Sequence, residues 1–189
     1  MVYTAYPSDT DHQYYYARWN GSSWNNYHVS SGGSWFPQTP SGRREPEPNY
    51  SGGIALDYDN TSVVYLSKPV NEVFEIFEYT SGNNGQSWSS SQITKNTPAN
   101  ILNVRPFVPL NHRPGYFDVV WMRGAYRFYQ DYNTSIMHLS TNSENVYYVY
   151  YNFDFGTESS PLKSGSIRIS ESTVYSDSYG WIDNSNIIS

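Results

Sequence analysis

The sequence predicts an all-β protein of antiparallel strands, and three observations carry that expectation. Aromatic residues make up 18% of the 189 positions and charged residues only 15%, so much of the apolar material is of the kind that fits a pleated, half-buried surface. Short apolar runs recur between clusters of Gly, Pro, Asn and Ser, the punctuation of strands and turns. No stretch combines a cap with the apolar spacing of a helix.

Taken in order, His12 to Trp19 reads as a strand, Asn20-Gly21-Ser22-Ser23 as a turn and Trp24 to Val29 as the returning strand of a hairpin. Ser30 to Ser51 is rich in Pro and Gly, carries Arg43-Arg44-Glu45 and has no period, so it reads as a long loop of the kind that often bears function. Four strand candidates follow: Gly53 to Asp57, Val63 to Ser67, Val73 to Thr80 and Trp88 to Thr94. Their turns fall at Tyr58-Asp59-Asn60, Lys68-Pro69 and the octet Ser81-Gly82-Asn83-Asn84-Gly85-Gln86-Ser87-Trp88. Within the octet Asn84-Gly85 suits a hairpin, because both residues tolerate positive φ. A second set runs through Val104 to Leu110, a turn at Asn111 to Gly115, Phe117 to Met122, a turn at Arg123-Gly124, and Tyr126 to Tyr132.

The two sets begin 51 positions apart, at Gly52 and Asn103, near the ~50 residues of a kelch-sized propeller blade. Val63-Val64-Tyr65-Leu66 and Val119-Val120-Trp121-Met122 do not alternate, which places apolar groups on both faces, as blades packed between blades require. The expected fold is a partial β-propeller of two to three antiparallel four-stranded blades over residues 1–140. An open, curved stack follows, since closed propellers have about four to eight blades.

Charge and composition exclude several functions. The formal net charge is −6 and no basic run exceeds Arg43-Arg44, which argues against nucleic acid or an acidic membrane as partner. There is no cysteine, so disulfides and thiolate metal sites are excluded. No apolar run reaches membrane-spanning length and Met1-Val2-Tyr3-Thr4 opens no signal peptide. His12, His28, His112 and His138 lack paired ligand spacing, and Asp57-Tyr58-Asp59-Asn60 reads as an Asx turn, so neither metal nor cofactor is expected.

The octet resembles the Asp-box of BNR-repeat β-propellers, S-x-D-x-G-x-T-W, with Asn83 in place of the aspartate and Ser87 in place of the threonine. Glu47 to Asp57, Val104-Arg105-Pro106-Phe107-Val108-Pro109, Val120-Trp121-Met122 and Tyr129-Gln130-Asp131-Tyr132 extend the likeness over about Tyr3 to Met137. The family includes ulvan-lyase-type and sialidase-like proteins that degrade polysaccharides. Asn152-Phe153-Asp154-Phe155-Gly156, Val174-Tyr175-Ser176 and Tyr179-Gly180-Trp181 resemble the first strands of the β-sandwich module of rhamnogalacturonan acetylesterase-like enzymes, so residues 141–189 are expected to begin such a module. The double resemblance implies a piece of a larger secreted protein, extracellular or periplasmic, with further domains in the same polypeptide.

The candidate site follows from chemistry. Arg105 begins an inner strand, where a guanidinium can grip a uronate or sialate carboxylate in bidentate fashion; pairing with a loop carboxylate explains it equally well. In a lyase reaction His112 and Tyr132 would share base and acid duties, against the simpler reading of His112 as a surface loop residue and of Tyr132 as packing. Trp35, Arg43, Arg44, Tyr50, Trp121 and Asp131 are the candidate substrate contacts, since sugars stack their C–H faces on aromatic rings while polar groups bind the rim. Three functions remain open: a lyase or glycosidase acting on an acidic plant or algal polysaccharide, a non-catalytic glycan-binding propeller that targets a neighbouring esterase or hydrolase, and a structural interaction propeller.

Overall fold

A computed structural model describes residues 1–34, 40–44, 53–112, 114–128 and 131–140. All regular structure among them is antiparallel strand, with no helix. The first sheet comprises β1 (Val2–Ser8), β2 (Asp11–Trp19) and β3 (Trp24–Gly33) in that order. The second comprises β4 (Ile54–Leu56), β5 (Val63–Val70), β6 (Val73–Thr80) and β7 (Ser89–Gln92), a four-stranded meander. The third comprises β8 (Leu102–Phe107), β9 (Val119–Phe128) and β10 (Asp131–Leu139). The module expected over 141–189 lies outside the described residues.

Three local expectations need correction. The first hairpin has an additional strand, β1, whose Val2 pairs with Tyr16 and Tyr3 with Tyr15. The turn expected at Lys68-Pro69 lies instead at Asn71 and Glu72, which take φ of 49° and 68°, while Pro69 stays in β5 opposite Phe74. Arg123-Gly124 is no turn: Gly124 is mid-strand, facing Leu102 on one side and Thr134 on the other. A Cβ there would stand 2.1 Å from the Asn133 carbonyl oxygen, so the glycine serves close strand approach. Consequently Tyr126 and Tyr132, expected on one strand, face each other across β9 and β10.

The second sheet is apolar on both faces. Val64, Leu66, Phe77 and Tyr79 pack with Tyr14, Tyr16 and Val29 of the first sheet. On the opposite side Tyr65 and Ile76 pack with Val119, Trp121, Met137 and Leu139 of the third, and Phe74 meets Leu102, Val104 and Tyr126. The leading strands also line up, β1 beside β4 and β4 beside β8.

Polar groups join the sheets where apolar contact alone would leave backbone unsatisfied. The buried Tyr14 hydroxyl donates to the Ser67 carbonyl and accepts from the Gly53 N–H, both at 2.8 Å. Asn103, fully buried, donates through Nδ2 to the Phe74 carbonyl, Glu75 Oε2 and Thr97 Oγ1 at 2.9–3.2 Å. Its Oδ1 accepts from Trp121 Nε1 at 3.1 Å, and its carbonyl accepts from the Ser67 hydroxyl at 2.6 Å. Burying such groups is tolerable only when they are paired.

The octet joins β6 to β7 as a closed polar turn. Asn83 Oδ1 accepts from the Ser87 N–H at 2.9 Å, and Asn83 Nδ2 donates to the Ser87 hydroxyl at 2.9 Å. The Ser81 hydroxyl accepts from the Gly85 N–H at 2.8 Å. Asn84 and Gly85 have φ of 61° and 92°, and Trp88 lies edge-on to Tyr16 at 5.4 Å, pinning the turn to the first sheet.

Candidate functional site

Two groups of side chains stand at opposite ends of β4. Gly53 precedes this strand and Asp57 follows it, so at ~3.3 Å per residue the ends are roughly 13 Å apart.

At the Gly53 end, β8 breaks its register between Val104 and Phe107, with Arg105 at φ 56°. The break turns Arg105 outward, its Cα 3.9 Å from the position a Gly53 Cβ would take. The guanidinium lies over the Tyr126 ring, 5.2 Å from its centroid, and Nη2 donates to the Tyr126 hydroxyl at 3.3 Å. Tyr126 meets Tyr132 edge-on at 6.0 Å, and Tyr132 is 63% exposed. Nearby on β9, Phe128 lies opposite Asp131, and the Arg44 guanidinium covers the Phe128 ring at 4.3 Å. Both guanidiniums thus lie over aromatic faces, a contact suited to guanidinium and less so to ammonium.

Arg44, Arg105, Asp131 and Tyr132 therefore gather around the β9–β10 hairpin end. Arg43 is exposed in the neighbouring turn, its N–H donating to the Pro40 carbonyl at 3.1 Å. Trp121 is a correction: it is 1% exposed and bound to Asn103, so it is core and offers no ring to a ligand. Trp35 and Tyr50 lie outside the described residues. No family model, curated protein or solved structure matches the chain. The site therefore rests on its own geometry.

His112 stands at the other end and does not join Arg105 and Tyr132. Its side chain is 3% exposed, which corrects the surface-loop reading. Nε2 lies 4.0 Å from Asp57 Oδ2 and 3.8 Å from Asp118 Oδ1, while Nδ1 lies 3.4 Å from Asp59 Oδ2 and 3.2 Å from the Pro109 carbonyl. The Asx turn is present: Asp57 Oδ1 accepts from the N–H groups of Asp59 and Asn60 at 2.9 and 3.0 Å. Asp118 Oδ1 accepts from the Gly115 N–H at 2.7 Å. These bonds orient the carboxylates. Burial, with Glu78, Asp118 and Asp57 adding negative charge, pushes the neighbouring Tyr65 phenol well above its ordinary value.

Sequence reasoning missed this grouping because Asp57 and Asp118 are far from each other in the chain. The signal available was the Asp57-Tyr58-Asp59 run just after β4 and His112 shortly after β8, the strands that lead their sheets. Asp57, Asp59 and His112 offer ligand atoms within 4.8 Å of one another and are the described residues able to hold a metal.

Proposed function

We propose that the chain supplies consecutive blades of a larger secreted β-propeller and that its Arg105 end binds an acidic polysaccharide. The observation that carries this reading is the pairing of two guanidiniums with aromatic rings beside an exposed Tyr132. Carboxylates on a uronate or sialate chain suit such cations, and the apolar faces of sugar rings suit the adjoining aromatic edges. Three stacked sheets with adjacent leading strands support the blade assignment, and the closed Ser81 to Trp88 turn supports the Asp-box likeness.

Binding without turnover is the favoured form of the reading, because His112 lies away from Arg105 and Tyr132. Targeting of a neighbouring esterase or hydrolase domain would then be its role. Lyase chemistry is the second reading, favoured by the exposed Tyr132 phenol at van der Waals range of the Arg105-bound Tyr126; there Arg105 would neutralise the carboxylate and Tyr132 would move the proton.

Calorimetric titration with polyuronate oligosaccharides and with neutral oligosaccharides of equal length tests the proposal. Selective binding of the acidic series is expected, with Arg105→Lys weakening it about tenfold, as loss of one charge-assisted bond would. Equal affinity for both series, or none, overturns it. Release of an unsaturated, ultraviolet-absorbing product would establish the lyase reading.

A further inference from the structure

We propose that Asn20 is a site of spontaneous covalent modification, converting in the folded chain to aspartyl and isoaspartyl forms with loss of ammonia, while Asn84 is shielded from the same reaction. The chain holds two Asn-Gly dipeptides, Asn20-Gly21 and Asn84-Gly85. With no Cβ on the following residue, its backbone nitrogen can swing towards the asparagine side chain. Attack of the glycine nitrogen on Cγ forms an N–Cγ bond; the glycine N–H proton passes to a solvent base, and Nδ2 takes up a solvent proton and leaves as ammonia. Water then opens the cyclic imide at either carbonyl, which restores the original backbone as aspartate or routes it through the side chain as isoaspartate. Water is consumed and ammonia released, with no change of oxidation state.

The two dipeptides differ at the attacking nitrogen. The Gly85 N–H donates to the Ser81 hydroxyl at 2.8 Å, which holds both its proton and its direction. Gly85 is also buried, and a Cβ on it would fall 2.6 Å from the Tyr16 ring and 3.1 Å from that of Tyr27. That packing leaves little room for a base or for the backbone swing that ring closure needs. The Gly21 N–H, by contrast, makes no hydrogen bond among the described residues. Gly21 is exposed, and nothing lies within 4 Å of where its Cβ would stand. At the side-chain carbonyl the two are alike: Asn84 Oδ1 accepts from Arg18 Nη1, and Asn20 Oδ1 accepts from the Ser22 N–H, the Ser22 hydroxyl and the Ser23 N–H at 2.9, 3.0 and 2.9 Å. Donors at that oxygen stabilise the negative charge that develops there on attack, so the nitrogen decides. Aspartate at position 20 keeps an acceptor for the same donors. Isoaspartate lengthens the main chain between Trp19 and Trp24, which pair across the hairpin with ring centroids 5.7 Å apart.

The test is incubation of the full chain in mildly alkaline buffer, followed by proteolysis, peptide mass analysis and enzymatic methylation of isoaspartate. Asn20 is expected to convert about tenfold faster than Asn84, as an engaged hydrogen bond and local burial at the Gly85 nitrogen imply. In concentrated urea, where both turns are lost, the two rates should converge. Ser81→Ala, which releases the Gly85 N–H, is expected to speed conversion of Asn84 roughly threefold or more and to leave Asn20 unchanged. Tyr14→Phe, which loosens the fold away from the octet, is the control for general destabilisation and should leave the Asn84 rate near that of the parent. Absence of conversion at Asn20, conversion of Asn84 as fast as Asn20 in the folded chain, a gap that persists in urea, or equal acceleration of Asn84 by Ser81→Ala and Tyr14→Phe overturns the assignment.

Discussion

The hydroxyl of Tyr14 accepts a hydrogen bond from the backbone N–H of Gly53 at 2.8 Å, joining β2 to the residue that leads into β4. The same oxygen donates to Ser67, and Gly53 and Ser67 are themselves paired through Ser67 N–H and the Gly53 carbonyl at 2.9 Å. Tyr14→Phe removes one atom and orphans the buried Ser67 carbonyl and the half-buried Gly53 N–H. It is expected to lower stability by about 1–3 kcal/mol per orphaned group, read as a shift in the urea midpoint with little change in slope.

The octet turn gives a paired expectation. Asn83→Ala loses the acceptor for Ser87 and the donor to its hydroxyl, a cost of about 1–2 kcal/mol on the scale of capping bonds. Gly85→Ala is harsher, because φ is 92° and the new Cβ would lie 2.6 Å from the Tyr16 ring. Chemical denaturation should therefore rank Gly85→Ala below Asn83→Ala.

Glu75 and Asn103 share one buried network. Glu75 also accepts from the Thr97 N–H at 3.0 Å, the Thr97 hydroxyl at 2.9 Å and the Thr94 hydroxyl. Asn103→Ala and Glu75→Ala should each cost about 3 kcal/mol, and the double variant markedly less than their sum, since each deletion already disrupts the other's bonds. Strict additivity in a double-mutant cycle would contradict the network.

Acid should destabilise the fold through His12 and His138. Burial lowers the pKa of both below the ordinary 6.5, with the Asp11 charge partly offsetting this at His12 and a backbone bond at Leu139 at His138. Above about 6.5 both states hold neutral rings; below it the unfolded chain takes up protons that the folded chain resists, so stability falls as pH drops towards the folded pKa. His138→Phe, which preserves stacking on Phe117 at 4.2 Å, should flatten the decline. Thermal melts across that range in parent and variant would show it.

The strand character of the chain was legible from local pattern, because aromatic and β-branched runs bounded by Gly and Asn leave few alternatives. The turn at Asn71-Glu72 was hidden by the adjacent Pro69, which ordinarily marks a turn but is tolerated here near a hairpin end. Gly124 misled for a related reason: its freedom serves close packing against Asn133 rather than a bend. Arg105 was marked by its place ahead of Pro106, yet its aromatic seat depended on Tyr126, and that pairing arises only when β8 and β9 meet. The Asp57 to His112 approach is likewise a product of inter-strand packing, which no spacing along the chain encodes.

The hydroxyl joint between the first two sheets carries its own optical indicator. Burial pushes the Tyr14 phenol far above its ordinary value of 10, and Tyr65 likewise, so in alkaline solution these two stay un-ionised while solvent-facing tyrosines lose their protons. Stability contributed by them is present below pH 10 and is lost as the medium becomes more basic. Phenolate absorbance should accordingly rise in two stages, the later one cooperative, reporting the moment at which the sheets part.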